Sequence, residues 1–229
     1  IGKSTLLMQV SSQVARVKNV LYVSGEESAA QVKSRAQRLL GSDLTDSANL
    51  SLASSTSADD VAQTILDGNF DLVIVDSMQT MAMADIISAP GTVSQITNSA
   101  NVIIRAAKSS DTAVILVGHV TKDGAIAGPK VLEHLVDVVL SFEGDRYGGF
   151  KMVRAVKNRY GSTSEVAIFD MTERGLEIVK NPSAALLAER SDSDGSVVLA
   201  TLEGNRPLLV EVQALVNPTS FGYAKRAAS

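Results

Sequence analysis

The chain has 229 residues, no cysteine, two histidines and a formal net charge of -4 at pH 7. The lack of cysteine argues against a disulfide framework and a thiolate zinc site, and the acidic balance confines any nucleic-acid contact to a local basic patch. Hydrophobic residues make up 45% of the chain, enough for one large α/β domain or for a domain and part of another. No stretch reaches the ~18 apolar residues of a membrane span and no leader is recognisable, so we expect a soluble, cytoplasmic protein.

Short, nearly continuous apolar runs alternate with helical patterns in the first half of the chain. The runs and patterns fall, in order, at 20–23, 29–40, 50–52, 59–66, 72–75, 92–108 and 113–117. Ser57 precedes one helical pattern as a cap, and Gly41 ends another. Buried parallel strands separated by helices give this alternation, because helices cover both faces of the sheet. The sequence therefore predicts an α/β fold with a mainly parallel central sheet.

Strand-like segments dominate the next part of the chain. They fall at 138–142, 151–156 and 165–169, with glycines between them as turn signals. We expect these segments to be antiparallel additions at the edge of the sheet. The first domain is predicted to span residues 1–181.

A domain boundary is predicted near Asn181 and Pro182. A helical stretch, a polar run and two strand candidates follow it, at 183–189, 191–196, 197–203 and 207–215. Two strands and a tail cannot bury a core of their own. We therefore predict that residues 182–229 form a linker and the opening segment of a second, incomplete domain.

The chain opens on Gly2, Lys3, Ser4 and Thr5, directly before an amphipathic helix. These residues match the end of the pattern G-x-x-x-x-G-K-[ST], whose first half does not precede Gly2 in this sequence. In that loop backbone N–H groups surround a β-phosphate, the lysine reaches the β and γ oxygens, and the hydroxyl binds Mg²⁺. A glycine followed by a cation and a hydroxyl is also an ordinary helix start, so the motif alone leaves both interpretations open.

Carboxylates follow two of the predicted strands. Asp76 ends the most apolar strand, at the position where α/β sheets bind ligands and where a carboxylate can hold Mg²⁺ directly or through water. A strand-ending cap is the alternative, and the motif at Lys3 and Ser4 favours the Mg²⁺ interpretation. Glu26 and Glu27 follow the first strand, where a general base or a water-positioning group would lie. Both could instead favour the positive end of the next helix, and Glu26, nearer the strand, is our choice for the base.

His119 follows the strand at 113–117 and could sense a γ-phosphate, although a packed or solvated histidine is the alternative. The segment after it carries Lys122 and Lys130 among glycines, a composition that suits contact with phosphate backbones.

The strongly basic stretch of this acidic chain runs from Arg146 to Arg159. It also contains Lys151, Arg154 and Lys157. Lys157 and Arg159 lie two positions apart and so share one face of a strand, from which they could reach a nucleotide on a neighbouring subunit or a DNA phosphate. A solvated strand face is the alternative for all of these cations.

Taken together, the motifs resemble the bacterial RadA (Sms) family of DNA-repair ATPases, within the RecA-like superfamily. The matching segments are 22–28 (YVSGEES), 72–80 (LVIVDSMQT), 88–95 (SAPGTVSQ), 117–134 (VGHVTKDGAIAGPKVLEH), 157–161 (KNRYG) and 206–216 (RPLLVEVQALV). KNRYG is a near-identical form of the family's KNRFG signature, and the segments together cover nearly the whole chain.

The resemblance implies a RecA-like P-loop ATPase core that uses ATP and Mg²⁺. It also implies a hexameric ring on single-stranded DNA that drives branch migration of branched recombination intermediates together with the RecA recombinase. Position by position, it implies phosphate and Mg²⁺ roles for Lys3 and Ser4, a catalytic role for Glu26 and an acidic-motif role for Asp76. The resemblance further implies that His119 senses phosphate, that Lys157 and Arg159 act at the subunit interface, and that Lys122 lies in the loop that faces DNA. From the basic composition of their segments, we expect Lys130, Lys151 and Arg154 to be further DNA contacts.

The family also carries a four-cysteine zinc module before this core, so zinc is expected only there and not in the present chain. After the core the family has a domain resembling the Lon protease fold, and residues 182–229 would be its opening segment. A nucleotide-gated DNA-binding scaffold without motor activity, or a RecA-like ATPase that acts on a protein partner, remain alternative functions.

Overall fold

The structure is a computed structural model that describes residues 2–41, 49–119, 130–144, 150–188, 190 and 194–216. The helices within these ranges are α1 (Lys3–Val14), α2 (Ala29–Leu40), α3 (Ala58–Asp67), α4 (Val93–Ser109), α5 (Lys130–Glu133) and α6 (Pro182–Leu187). The strands are β1 (Val20–Ser24), β2 (Leu50–Ser54), β3 (Leu72–Asp76), β4 (Ala113–Leu116), β5 (Val138–Gly144), β6 (Lys151–Asn158), β7 (Val166–Thr172), β8 (Gly175–Ile178), β9 (Ser196–Glu203) and β10 (Arg206–Gln213). None of the helices in these ranges has the length and apolar character that crossing a membrane requires.

The first four strands form a parallel sheet in the order β2-β1-β3-β4. Every residue of β1 and β3 is buried, because helices cover both faces of the sheet. One core joins the sheet to α3 and α4 through residues such as Ile65 and Ile103. The other core joins it to α1 and α2 through residues such as Met8 and Val32. The predicted α/β fold with a parallel central sheet is confirmed.

Side-chain caps fix where the helices begin and end. The hydroxyl of Ser57 accepts a hydrogen bond from the Asp60 N–H at 3.1 Å, as the sequence predicts. Gly41 ends α2 with a positive φ of 79°, a conformation that glycine adopts without steric cost. Ser28 and Gln31 form a capping box at the start of α2, which gives backbone N–H groups of the first turn hydrogen-bond acceptors.

The antiparallel strands form a sheet in the order β5-β6-β7-β8. Among the described residues this is a sheet of its own, whereas the sequence placed these strands at the edge of the parallel sheet. The side chain of Gln9 in α1 bonds both backbone groups of Leu176 in β8 at 3.0 and 3.2 Å. The antiparallel sheet is thereby fixed against the first helix.

Strands β9 and β10 form a hairpin beyond the predicted boundary at residue 181. Leu208 of this hairpin is buried with Val166 and Ile168 of β7, and Glu203 accepts a hydrogen bond from Arg154 at 2.9 Å. Packing and hydrogen bonds therefore cross the boundary. The division into two domains stays a prediction, and the described part of 182–229 is α6 with this hairpin.

Candidate active site

The carboxyl ends of β1, β3 and β4 lie side by side at one edge of the parallel sheet. Ser24 pairs with Asp76 in register, so the turn that follows β1 lies beside the end of β3. Lys3, at the start of α1, donates to the carbonyl of Gly118 at 2.6 Å and lies 3.2 Å from Nδ1 of His119. The sheet order thus brings predicted site residues from four separate segments to one edge.

The N-terminus of α1 lies in a confined place. Gly2 has a positive φ of 114°, and a Cβ added there would stand 3.0 Å from both Phe142 and Met171. The backbone N–H groups of the first helical turn have no acceptor within the helix, so they are donors available to an anion. Thr5 and Ser4 belong to this first turn.

The ammonium group of Lys3 is half-buried. Burial lowers the pKa of Lys3 below its ordinary value of 10.5, and the charges of Asp76 and Glu26 oppose this shift without cancelling it. A phosphate beside the ammonium would stabilise its charged form further. The surroundings of Lys3 therefore favour binding of an anionic ligand beside its ammonium group.

The two neighbouring carboxylates of the β1–α2 turn have different surroundings. Glu26 accepts a hydrogen bond from the hydroxyl of Ser77 at 2.7 Å, and Nε2 of His119 lies 3.5 Å from the same oxygen. Glu27 instead forms an ion pair with Arg35 of α2 at 2.7 Å. Because its side chain is 50% exposed, Glu26 can also meet water, whereas Glu27 is held in its ion pair with Arg35.

His119 offers a hydrogen-bond donor to this edge. Because the ammonium of Lys3 can only donate, Nδ1 of a neutral His119 accepts and the ring proton lies on Nε2. Nε2 is buried and has no hydrogen-bond partner among the described residues. The backbone carbonyl of His119 is held by Gln79, whose amide donates to it at 3.2 Å.

Asp76 ends β3 and is only 5% exposed. Its Oδ2 accepts a hydrogen bond from the hydroxyl of Tyr22 at 2.6 Å, and the Ser4 hydroxyl also interacts with Tyr22. The structure therefore places a hydroxyl and a carboxylate around the same phenol.

These two oxygen donors fit a Mg²⁺–nucleotide complex. In the part of the chain that the structure describes, no group of three or more His, Asp or Glu side chains could hold a metal ion. Mg²⁺ prefers hard oxygen ligands, and at nucleotide sites it takes one or two from the protein while phosphates and waters complete its shell. The oxygens of Ser4 and Asp76 have the chemistry of such a partial ligand set.

Comparison with known sequences decides the family. The sequence profile described as "AAA domain" matches residues 1–125, more than half of the chain. The chain belongs to this AAA domain family.

Relatives of this AAA domain confirm the resemblance stated from its motifs. The chain is 51% identical to the DNA repair protein RadA of Listeria monocytogenes over 231 aligned residues, which cover 100% of the chain and 50% of the relative. It is 50% identical to the DNA repair protein RadA of Bacillus subtilis with the same coverage, and 49% identical to that of Streptococcus pneumoniae, covering 99% of the chain and 53% of the relative. The chain thus spans about half the length of the curated relatives it matches.

Solved structures with the same fold are more distant in sequence. A RadB recombinase superposes with a TM-score of 0.53 at 20% identity, covering 78% of this chain and 86% of its own. A KaiC-like protein from Pyrococcus horikoshii superposes with a TM-score of 0.61 at 16% identity, covering 78% of this chain and 84% of its own. At these identities the likeness concerns the fold, and it confirms the RecA-like architecture of the AAA domain.

The two cations of the KNRYG segment lie outside residues 1–125, the part that matches the AAA domain. Lys157 donates to the backbone carbonyls of Glu133 and Val136 at 2.6 and 2.8 Å, and so caps the end of α5. Arg159 pairs with Asp137 at 2.8 Å. Within the described residues, no hydrogen bond or ion pair joins these two cations to the edge where Lys3 lies.

The predicted DNA contacts within the described residues lie beyond residue 125, where the match to the AAA domain ends. Lys130 is exposed at the start of α5, and Lys151 begins β6 opposite Gly144. Arg154 forms ion pairs with Glu203 at 2.9 Å and Glu143 at 3.8 Å, so carboxylates already surround its guanidinium. Lys122 lies outside the described residues, and DNA binding by this set stays a prediction.

Sequence reasoning missed Tyr22, Arg35 and Ser77, which support the acidic residues of the site. A signal was present for Tyr22, because a buried tyrosine in an otherwise aliphatic strand needs a partner for its hydroxyl. Arg35 and Ser77 carried no comparable signal, since their partners come from other segments of the fold.

Proposed function

We propose that this chain is the ATPase core of a DNA-repair and recombination protein, and that it binds Mg²⁺–ATP and hydrolyses the bond between the β- and γ-phosphates. One observation carries the proposal: Lys3, Glu26, Asp76 and His119 converge at the carboxyl edge of the parallel sheet. The fold and the family favour a nucleotide at this edge, because open α/β sheets bind ligands beyond the carboxyl ends of their strands.

The start of α1 binds the phosphates in this proposal. The N–H groups of the first turn and the Lys3 ammonium face the β and γ oxygens, with Gly2 and Thr5 flanking them. Ser4 and Asp76 hold Mg²⁺, directly or through water. Bound Mg²⁺ would neutralise charge on the β and γ oxygens. Oriented donors of this kind stabilise the charge that develops as the γ-phosphoryl group transfers.

Glu26 is the residue that acts on the attacking water. Its carboxylate orients that water and accepts its proton, while the hydrogen bond from Ser77 fixes one carboxylate oxygen. The Nε2–H of His119 makes no hydrogen bond among the described residues and lies 3.5 Å from Oε1 of Glu26, and in this proposal it donates to a γ-phosphate oxygen. Loss of the γ-phosphate would therefore remove a hydrogen bond from His119. The change would also reach Gln79, whose amide donates to the backbone carbonyl of His119.

DNA is the proposed partner of this ATPase. The support is the 49–51% identity to proteins named DNA repair protein RadA. We place single-stranded and branched DNA against Lys122, Lys130, Lys151 and Arg154. We further propose a hexameric ring in the cytoplasm, in which Lys157 and Arg159 of one subunit respond to the nucleotide of the next, and which promotes branch migration together with the RecA recombinase.

Nucleotide binding by a lysine variant tests the proposal. The test uses the chain extended before Gly2 so that the G-x-x-x-x-G-K-S loop is complete. In this protein, Lys3→Ala is expected to abolish binding of a fluorescent ATP analogue. The matched control is Lys18→Ala, since Lys18 is exposed and pairs with Asp71 at 2.7 Å. Equal affinity for the Lys3→Ala and Lys18→Ala variants would contradict a phosphate site at Lys3.

Branch-migration assays separate a motor from a nucleotide-gated scaffold. The motor requires hydrolysable ATP, whereas a scaffold would act equally with a non-hydrolysable analogue. ATP turnover that does not respond to DNA would instead favour a protein substrate.

A further inference from the structure

Tyr22 lies in the middle of β1 and is completely buried. Its ring belongs to the core between the parallel sheet and the helices α1 and α2. The hydroxyl at the end of the ring emerges from this core beside Asp76, the residue that ends the neighbouring strand. A buried tyrosine is thus used to bring one polar atom to the carboxyl edge of the sheet.

The hydroxyl of Tyr22 makes hydrogen bonds with Asp76 and Arg35, besides its interaction with the Ser4 hydroxyl. It donates its single proton to Oδ2 of Asp76 at 2.6 Å and accepts a hydrogen bond from Arg35 at 3.3 Å. A carboxylate without a proton can only accept, so the phenol is the donor and the direction of the hydrogen bond to Asp76 is fixed.

Arg35 connects this pair to the turn that carries the proposed base. Its side chain is only 16% exposed, and it forms a 2.7 Å ion pair with Glu27. The guanidinium also stands 5.9 Å from the centre of the Tyr22 ring. One run of contacts, from Glu27 through Arg35 and Tyr22 to Asp76, therefore links both acidic segments of the site.

We propose that Tyr22 is a positioning residue for Asp76, held in place by Arg35, and that it sets the orientation in which the carboxylate meets Mg²⁺. The proposal rests on the proposed nucleotide site. One carboxylate oxygen is bound to the phenol, so the carboxylate cannot rotate freely and the other oxygen has a defined direction. Partners of this kind, one bond away from a metal ligand, commonly change metal affinity by about 10- to 100-fold.

The experiment measures nucleotide affinity as a function of Mg²⁺ concentration, without hydrolysis. The protein is the chain with a complete phosphate loop, and the probe is a fluorescent, non-hydrolysable ATP analogue. For Tyr22→Phe we expect the Mg²⁺ concentration at half-maximal binding to rise about tenfold, because the carboxylate loses the hydrogen bond from the phenol. Nucleotide affinity without Mg²⁺ is expected to be unchanged, which a general loss of structure would not produce.

A second variant and a matched control complete the test. Arg35→Gln should shift the Mg²⁺ requirement in the same direction but by less than Tyr22→Phe, since Arg35 acts on Asp76 through Tyr22. The control is Thr112→Val, which removes another buried hydroxyl. Thr112 directly precedes β4, and its hydroxyl donates to the carbonyl of Phe70 at 2.9 Å. This variant should leave the Mg²⁺ requirement unchanged.

The possible outcomes are distinct. If the unmodified protein binds no nucleotide, the proposed function fails. If it binds with a Mg²⁺ requirement that Tyr22→Phe leaves unchanged, the positioning role alone is overturned. If Tyr22→Phe does not fold, Arg35→Gln decides, and an unchanged Mg²⁺ requirement in that variant overturns the role of the Arg35 and Tyr22 pair.

Discussion

The hydroxyl of Ser77 donates to Oε1 of Glu26 at 2.7 Å, although the two residues are 51 positions apart in the chain. Ser77 is completely buried at the end of β3, whereas the Glu26 side chain is half exposed. The carboxylate is therefore anchored at one oxygen and open to water. Its neighbour Glu27 is committed to Arg35, so the two glutamates can be separated by experiment.

We predict that Glu26→Gln lowers the rate of ATP hydrolysis by about a hundredfold or more, because an amide cannot accept a proton from water. Nucleotide affinity should change little. The control is Glu27→Gln, which removes one ion pair and should keep hydrolysis within a few-fold of the unmodified rate. Phosphate-release assays measure the hydrolysis rates of the two variants. A larger loss of rate in Glu27→Gln than in Glu26→Gln would mean that Glu27 is the base.

The lowered pKa of Lys3 predicts a pH-dependent difference in stability. Folding keeps Lys3 less protonated than the unfolded chain between its lowered pKa and 10.5, so stability rises with pH across that window. Relative to Lys3→Met, the unmodified chain should therefore gain free energy of unfolding as the pH rises towards 10.5. Denaturant titrations without nucleotide measure this difference, and a constant or decreasing difference would contradict the buried environment of Lys3.

Lys157 is predicted to act across a subunit boundary as well as to cap α5. Lys157→Ala should spare nucleotide binding while impairing turnover or DNA-driven movement. Lys108→Ala, which removes an exposed cation from the end of α4, is the control. If Lys157→Ala leaves both hydrolysis and branch migration intact, the interface mechanism is wrong.

Mixing variants tests whether Lys157 acts in trans. Lys157→Ala and Glu26→Gln subunits are each expected to be impaired alone. In a randomly mixed ring, about a quarter of the boundaries combine an intact Glu26 with an intact Lys157 from the adjacent subunit. Hydrolysis should then recover in the mixture, whereas a purely structural role of Lys157 in capping α5 would give no recovery.

The parallel sheet could be predicted because buried parallel strands are continuous apolar runs, and 72–75 is such a run. The caps at Ser57 and Gly41 follow from local chemistry and were predicted for the same reason. Strand β8 was missed, since Gly175–Ile178 is only four residues long and alternates weakly. Strand β4 is equally short but was predicted, because 113–117 is a continuous apolar run.

The contacts that hold the site residues in place could not be predicted from local sequence pattern. Lys3 meets Gly118, 115 positions away, only because the sheet places β4 beside the start of α1. Tyr22 meets Asp76 because β1 and β3 are neighbours, an order that the sequence does not state. The motif residues were therefore found from sequence, and the contacts that orient them required the structure.

The β9–β10 hairpin is predicted to share the stability of the antiparallel sheet. Leu208 is 4% exposed against Val166 and Ile168, so Leu208→Ala should lower the free energy of unfolding by about 2–3 kcal/mol. Leu209, the next residue, is 39% exposed and serves as the control, with an expected loss below about 1 kcal/mol. Equal losses in denaturant titrations would mean that the hairpin does not pack on the sheet in solution.

DNA-stimulated ATP hydrolysis tests the central claim most directly. The rate is measured with and without single-stranded DNA for this chain and for the same chain with a complete phosphate loop and a longer carboxy-terminal segment, each with and without Lys3→Ala. The proposed function predicts that the extended protein hydrolyses ATP, that DNA raises the rate and that Lys3→Ala abolishes it. Hydrolysis that survives Lys3→Ala, or that is indifferent to DNA, would contradict a DNA-dependent ATPase at this site.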